Sequence, residues 1–132
     1  MKRSIALVVD DDADLAQFVV DCITRIGFQC VVASRIEDVV PLVTDSKVVL
    51  AIVDVFLPGI GGIEGVRKIK ELNPGCRVVA ISGGFRHMGG SDALRAAQIV
   101  GADTVLSKPF RKRELVDTID ELLIDRVEPR SA

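Results

Sequence analysis

Short apolar runs, most of which end on a polar residue, are the feature that most constrains what this chain can fold into. A strand that is apolar at every position is typical of a parallel sheet covered on both faces. The runs cover residues 5–9, 28–33, 48–53, 77–81 and 104–106. Their length and spacing predict five strands.

The stretches between these runs have helical period. After Asp12, a natural N-cap, apolar residues from Leu15 to Ile26 recur at three- and one-residue intervals and form one helical stripe. A second helix is expected after Ser34, kinked or delayed by Pro41. Gly65 lies inside a third predicted helix, where it costs about 1 kcal/mol relative to alanine, and the sequence offers no reason for it.

Strand and helix therefore alternate five times along the chain. Consecutive strands joined by helices pair in parallel through right-handed crossovers, which predicts a single α/β domain with an open, doubly wound sheet. In such sheets ligands bind at the carboxyl ends of the strands. Polar residues at those ends are consequently the candidates for a functional site.

Composition and charge exclude several classes of protein. The chain has 132 residues, with 17 basic and 19 acidic side chains and a formal charge of −2. It therefore lacks the net positive charge that would attract nucleic acid. Its apolar runs are too short for an export signal or a membrane span. The three cysteines are widely spaced, which favours reduced side chains. We expect a cytoplasmic protein that binds neither nucleic acid nor membrane.

Five polar residues follow the strands at what should be one edge of the sheet: Asp10, Asp11, Asp54, Ser82 and Lys108. One aspartate after a strand is usually a turn or helix cap, as we expect for Asp12. Three carboxylates in one cleft repel one another unless a cation neutralises them, and hard oxygen ligands favour Mg²⁺, or alternatively Mn²⁺. A carboxylate can also be a nucleophile toward phosphorus, with a lysine and a hydroxyl to offset and bind the transferred group.

Several short motifs give the chain a resemblance to a known family. It resembles the CheY-like receiver domains of response regulators in two-component signalling, over about residues 4–125. The resemblance implies a flavodoxin-like sheet in the order 2-1-3-4-5, a receiver domain at 1–126, a tail at 127–132 and no effector domain. The matching motifs are Val8-Val9-Asp10-Asp11, Val53-Asp54 with Leu57-Pro58-Gly59 and Gly62, Ser82, Gly101-Ala102-Asp103 and Lys108-Pro109-Phe110.

The resemblance also assigns the chemistry of the acidic residues. Asp54 is then the phosphoacceptor, which takes a phosphoryl group from the phosphohistidine of a histidine kinase or a histidine phosphotransfer protein. Asp11, Asp54 and the Phe56 backbone carbonyl would bind Mg²⁺ directly, and Asp10 would assist through water.

The same resemblance assigns the phosphoryl ligands. Lys108 and Ser82 would hold the phosphoryl oxygens, together with the Val55 and Gly83 amides. A cis peptide bond is expected between Lys108 and Pro109.

Two departures from the family pattern affect the expected conformational switch. Val105 stands where many receivers carry an aromatic residue, and the segment 83–90 is long and rich in glycine. We therefore expect Ser82, Gly83 and Gly84 to carry the signal with Val105 as a changed switch position. The output would pass through this loop to the face formed by the fourth helix, fifth strand and fifth helix. The resemblance also implies that two copies of this chain can form a homodimer through that face, as many receivers do, and the sequence does not decide it.

Two other functions remain as alternatives. A pseudo-receiver would only bind partners, although such proteins tend to lose the acidic residues that are complete here. An aspartate-nucleophile phosphohydrolase would need a second acid two residues after Asp54, where this chain has Phe56. The primary expectation is a stand-alone phosphoacceptor that is not an enzyme, with a kinase and a downstream protein target that the sequence does not identify.

Overall fold

A central parallel sheet organises the computed structural model, which describes residues 4–55, 61–82, 95, 98 and 100–127. All strand pairs are parallel and their order is β2-β1-β3-β4-β5, as the resemblance implied. The five strands are β1 (Ile5–Val9), β2 (Gln29–Ala33), β3 (Val48–Asp54), β4 (Arg77–Ser82) and β5 (Thr104–Ser107).

The α-helices whose bounds the structure describes cover the sheet. They are α1 (Ala13–Thr24), α2 (Gly62–Leu72) and α3 (Lys112–Val127). The Asp12 carboxylate accepts hydrogen bonds from the Asp14 and Leu15 amides at the start of α1, which confirms its predicted capping role. Helix α3 includes Val127, which the sequence analysis assigned to the tail. The remaining tail, 128–132, lies outside the described residues.

The helix expected after Ser34 does not form, and this prediction was wrong. Two short 3₁₀ turns, Ile36–Asp38 and Val40–Leu42, replace it. Pro41 explains the difference, because it lacks the amide hydrogen that an α-helix would need to donate to the carbonyl four residues earlier. We call residues 36–43 the 3₁₀ segment.

Apolar side chains fill the space on both faces of the sheet. On one face, β-strand residues such as Val8 and Ile52 pack with α1 and α3 through Val19, Ile23 and Leu115. On the other face the cluster includes, among other buried residues, Leu7, Val9, Ile36, Val39, Val43, Val53, Val66 and Ile69. The 3₁₀ segment thus takes the place of a helix in the second layer of the core.

The state of the cysteines and the length of the helices are two further features of the described residues. Cys22, Cys30 and Cys76 are all free thiols, and Cys22 and Cys76 are buried. None of the helices in the described residues is long and apolar enough to cross a bilayer.

Candidate phosphoacceptor and metal site

Strand register brings the predicted site residues to one edge of the sheet. Val9 of β1 pairs with Val53 of β3, so Asp10 and Asp54 follow on adjacent strands. On β4, Ser82 pairs with Ser107 of β5, and the Lys108 amide donates a hydrogen bond to the Ser82 carbonyl at 2.8 Å. Residues from four parts of the chain therefore meet where the parallel strands end.

The three predicted acidic residues form a tight group. Carboxylate oxygens of Asp10, Asp11 and Asp54 lie within 4.8 Å of one another. Asp10 and Asp54 are each only 6 % exposed, whereas Asp11 is exposed. Their convergence from β1 and β3 is what the sequence predicted.

Lys108 approaches the acidic group from β5. Its Nζ donates a hydrogen bond to Asp54 Oδ2 at 3.3 Å and lies 3.8 Å from Asp10 Oδ2. The peptide bond between Lys108 and Pro109 is cis, as expected from the resemblance. Among the described residues of this site, three carboxylates thus stand against the Lys108 ammonium, which leaves an excess of negative charge in a location that is partly closed to water.

The electrostatics of Asp10 reflect that excess. Burial raises the pKa of Asp10 from 3.8 to about 6, and the neighbouring Asp54 charge acts in the same direction. A hydrogen bond from the Asp12 amide to Asp10 Oδ1, at 2.9 Å, and the Lys108 ammonium lower this pKa and only partly offset the burial. A divalent cation would remove the cost of ionising Asp10.

The donor set fits a hard divalent cation. Every side-chain donor in the group is a carboxylate oxygen, the ligand type that Mg²⁺ and Mn²⁺ prefer over nitrogen or sulfur. Phe56, whose carbonyl is an expected further ligand, lies outside the described residues.

Ser82 is fully buried at the end of β4, next in sheet order to the strand that carries Asp54. Its predicted partners in signalling, Gly83 and Gly84, and the rest of the segment 83–90 lie outside the described residues. The Val55 amide donates to the Ile81 carbonyl at 2.9 Å as a continuation of the sheet. To bind a phosphoryl oxygen as expected, the Val55 amide would have to share or break this hydrogen bond.

Val105 occupies a small apolar cluster behind the site. It packs with Val55 and Ala80, together with Ile63 and Ala102. Its side chain has no hydroxyl and is short, so it cannot repeat the large inward rotation of an aromatic ring. The role of Val105 as a changed switch position stays a prediction.

Comparisons with known proteins agree with this fold. The family model described as "Response regulator receiver domain" matches residues 6–120. The response regulator receiver protein CpdR of Brucella abortus is 31% identical over 127 residues, covering 94% of this chain and 98% of that protein. The phosphate regulon regulatory protein PhoB of Pseudomonas aeruginosa is 30% identical over 119 residues, which cover 89% of this chain but 50% of PhoB.

Solved structures share the architecture. A CheY-like receiver domain protein from Methanospirillum hungatei superimposes with a TM-score of 0.85 at 23% identity, covering 97% of this chain and 99% of that one. A response regulator from Burkholderia pseudomallei, described with a phosphorylated aspartic acid and a calcium ion, has a TM-score of 0.76 at 21% identity, covering 98% and 73%. At these identities the likeness concerns the fold alone.

The sheet order, the acidic group with its lysine, and a family match over most of the chain define the class of protein. This chain belongs to the response regulator receiver family.

Proposed function

We propose that the protein accepts one phosphoryl group on Asp54, in a reaction that requires Mg²⁺ or Mn²⁺, and that this modification is its signal. The observation that carries the proposal is the meeting of Asp54, Asp10, Asp11 and Lys108 at one strand edge. A pseudo-receiver would have no use for three mutually repelling carboxylates.

The phosphoryl donor is a phosphohistidine on a histidine kinase or a histidine phosphotransfer protein. An Asp54 carboxylate oxygen attacks the phosphorus, forming a P–O bond as the P–N bond breaks, and the imidazole nitrogen leaves with the electron pair and takes up a proton. When bound, the metal ion supplies positive charge that stabilises the phosphoryl oxygens as charge develops on them.

Residues of this chain orient that reaction. Lys108 already hydrogen-bonds to Asp54, so its ammonium lies where a phosphoryl oxygen would arrive. The Ser82 hydroxyl, at the end of the neighbouring strand, is the candidate to donate a hydrogen bond to another oxygen. Asp11 and Asp54 would hold the metal ion directly, and Asp10 would assist through water. A phosphohistidine donor of this kind implies that the protein acts in the cytoplasm.

The experiment uses the purified protein with Mg²⁺ and a small acyl phosphate, followed by intact mass spectrometry. We expect the mass of one phosphoryl group to be gained by the wild type and by the control Asp120→Asn, an exposed aspartate on α3. Asp54→Asn should gain none. An unmodified wild type, or equal labelling of Asp54→Asn, would refute the proposal. Steady hydrolysis of a phosphomonoester would instead favour the phosphohydrolase alternative.

A further inference from the structure

Helix α2 begins directly against the backbone of the phosphoacceptor. A Cβ atom built on Gly62, the first residue of α2, would lie 2.0 Å from the Asp54 carbonyl oxygen and 2.3 Å from Val55 Cα. Both distances are far below van der Waals contact, so only glycine fits. The position of α2 and the position of the Asp54 backbone are therefore linked.

One helical turn later, α2 makes a second close contact that needs glycine. A Cβ atom on Gly65 would lie 2.6 Å from Ile36 Cγ1 and 2.7 Å from its Cδ1. Residues three apart lie on the same side of a helix, so Gly62 and Gly65 form one surface of α2 that has no side chains. The end of β3 lies against this surface at Gly62, and Ile36 lies against it at Gly65. This contact supplies the reason for Gly65 that the sequence lacked.

Ile36 has little freedom to move away from α2. It is 1 % exposed, it is branched at Cβ, and it packs in the same cluster as Val9, Val53 and Ile69. The first 3₁₀ turn, which contains it, begins without a side-chain capping hydrogen bond, so packing supplies most of its support.

The opposite end of the 3₁₀ segment is also attached to α2. Asn73 follows the helix, and its Nδ2 donates to the Val43 carbonyl at 2.7 Å and to the Val48 carbonyl at 3.1 Å. The 3₁₀ segment is thus held to α2 at Ile36 and at Val43. Helix and segment form one packed unit, and Gly62 is where this unit touches the acceptor.

We propose that Gly65 and Ile36 are positioning residues for phosphorylation. Their contact fixes the position of α2. Through Gly62, the position of α2 in turn determines where Asp54 lies relative to the other residues of the site. This inference rests on the proposed function. Phosphoryl transfer is catalysed mainly by positioning, and a misplacement of about 1 Å can lower a rate on the order of 100-fold. An added methyl group at residue 65 must shift either Ile36 or the helix.

A double-mutant cycle tests the inference. The variants are Gly65→Ala, Ile36→Ala and the double variant, in which the space freed by Ile36 accepts the new methyl group. Ile69→Val is the matched control, because it removes one methylene from the same core cluster a turn beyond Gly65. The readouts are the initial rate of phosphorylation by a small acyl phosphate at saturating Mg²⁺, and the Mg²⁺ concentration that gives half of that rate. Circular dichroism verifies that each variant is folded.

We expect Gly65→Ala to lower the initial rate about tenfold or more and Ile36→Ala to lower it about threefold. The double variant should return to within about twofold of Ile36→Ala, and Ile69→Val should match the wild type. Because circular dichroism verifies that each of the compared variants is folded, recovery of the rate in the double variant reports the position of α2 rather than the amount of folded protein.

Three results would overturn the inference: a folded Gly65→Ala that reacts at the wild-type rate, a double variant that shows only the product of the two single effects, or an equal loss in Ile69→Val. If Gly65→Ala does not fold, the double variant still decides, because its rate must then lie close to that of Ile36→Ala. A wild type that is never phosphorylated refutes the proposed function itself, and so is distinguishable from each of these.

Discussion

Two clusters of charged residues lie at opposite edges of the sheet, and they are built differently. At the edge where the strands have their carboxyl ends, Lys108 lies against Asp54 and Asp10 in the group of three carboxylates that also includes Asp11. At the opposite edge, where the strands have their amino ends, the carboxylate of Asp103 faces two cations, Lys70 at 3.0 Å and Arg77 at 3.4 Å. Among the residues that the structure describes, acids outnumber cations in the first cluster, whereas cations outnumber acids in the second.

The hydrogen bonds of the second cluster show a structural purpose. Asp103 Oδ2 accepts from the Val78 amide at 2.7 Å, and Lys70 Nζ also donates to the Cys76 carbonyl at 2.9 Å. These bonds join the end of α2 to the starts of β4 and β5. Polar groups that satisfy one another hold a fold together, whereas carboxylates left in excess favour binding a cation.

The largest expected effect is on chemistry at the carboxyl edge. Lys108→Gln removes the cation beside Asp54, and we expect phosphorylation by a small acyl phosphate to slow about 100-fold or more, since one stabilising group at a reacting anion contributes about this much. The initial rate at saturating Mg²⁺ measures it. Lys112→Gln, an exposed cation at the start of α3, is the control and should react normally. A Lys108→Gln rate within twofold of the wild type would remove the lysine from the mechanism.

The opposite cluster should affect stability instead. Asp103→Ala leaves Lys70, Arg77 and the Val78 amide without this acceptor in a half-buried location, and we expect the free energy of unfolding to fall by about 2 kcal/mol. The phosphorylation rate of the folded variant should stay within about twofold of the wild type. Urea unfolding followed by circular dichroism is suitable, because the chain has no Trp or Tyr for fluorescence.

Asp103→Asn sharpens this test, because an amide oxygen can still accept from Val78. Its loss of stability should be smaller than that of Asp103→Ala. An Asp103→Ala variant that is phosphorylated much more slowly than the wild type but is equally stable would contradict the roles assigned to the two clusters.

A smaller effect concerns pH and the metal-free protein. Since the pKa of Asp10 is about 6 in the folded state and 3.8 ordinarily, the unfolded chain releases this proton first as pH rises. The contribution of Asp10 to stability is therefore complete below about pH 4 and lost between pH 4 and 6. Asp10→Asn should gain about 1–2 kcal/mol over the wild type at pH 7 and little at pH 4.

Urea unfolding in a chelator across this pH range is the measurement for Asp10→Asn. An equal gain at both pH values would mean that ionisation of Asp10 is not the cause.

The smallest expected effect is stabilisation by the metal ion. Addition of about 10 mM Mg²⁺ should raise the unfolding free energy of the wild type by about 1 kcal/mol, because the ion binds the folded acidic group. Asp11→Asn should lose most of this gain, and Asp103→Asn should keep it. If Mg²⁺ stabilises all three proteins equally, its effect is a general one of ionic strength rather than binding at the carboxyl edge.

Much of the fold was predictable, because its signals are local. Runs such as 48–53 are apolar at every position and become central strands, and Asp12 caps α1 through bonds to residues two and three positions away. The second connection was mispredicted: the periodicity of Ile36, Val39 and Val43 was correct for burial, but Pro41 limits the backbone to 3₁₀ turns.

The candidate site was predictable in its members but not in its energetics. Parallel strands have their carboxyl ends at the same edge of a sheet. This arrangement predicts that Asp10, Asp54 and Lys108 lie at one edge. The raised pKa of Asp10 depends on how deeply the folded chain buries it, which no local pattern contains. Asp103 carries no sign in the sequence that separates a structural carboxylate from a functional one, because that depends on which cations reach it.

The sequence by itself determined the five strands, the helices α1, α2 and α3 and the kinds of side chain at the strand ends, because strand periodicity and capping act over a few residues. Only the tertiary structure decided the distances in the acidic group, the partners of Asp103 and the contact of Gly65 with Ile36. These depend on strand register and on close packing between residues far apart in the chain, where a difference of one methyl group determines whether two segments can touch.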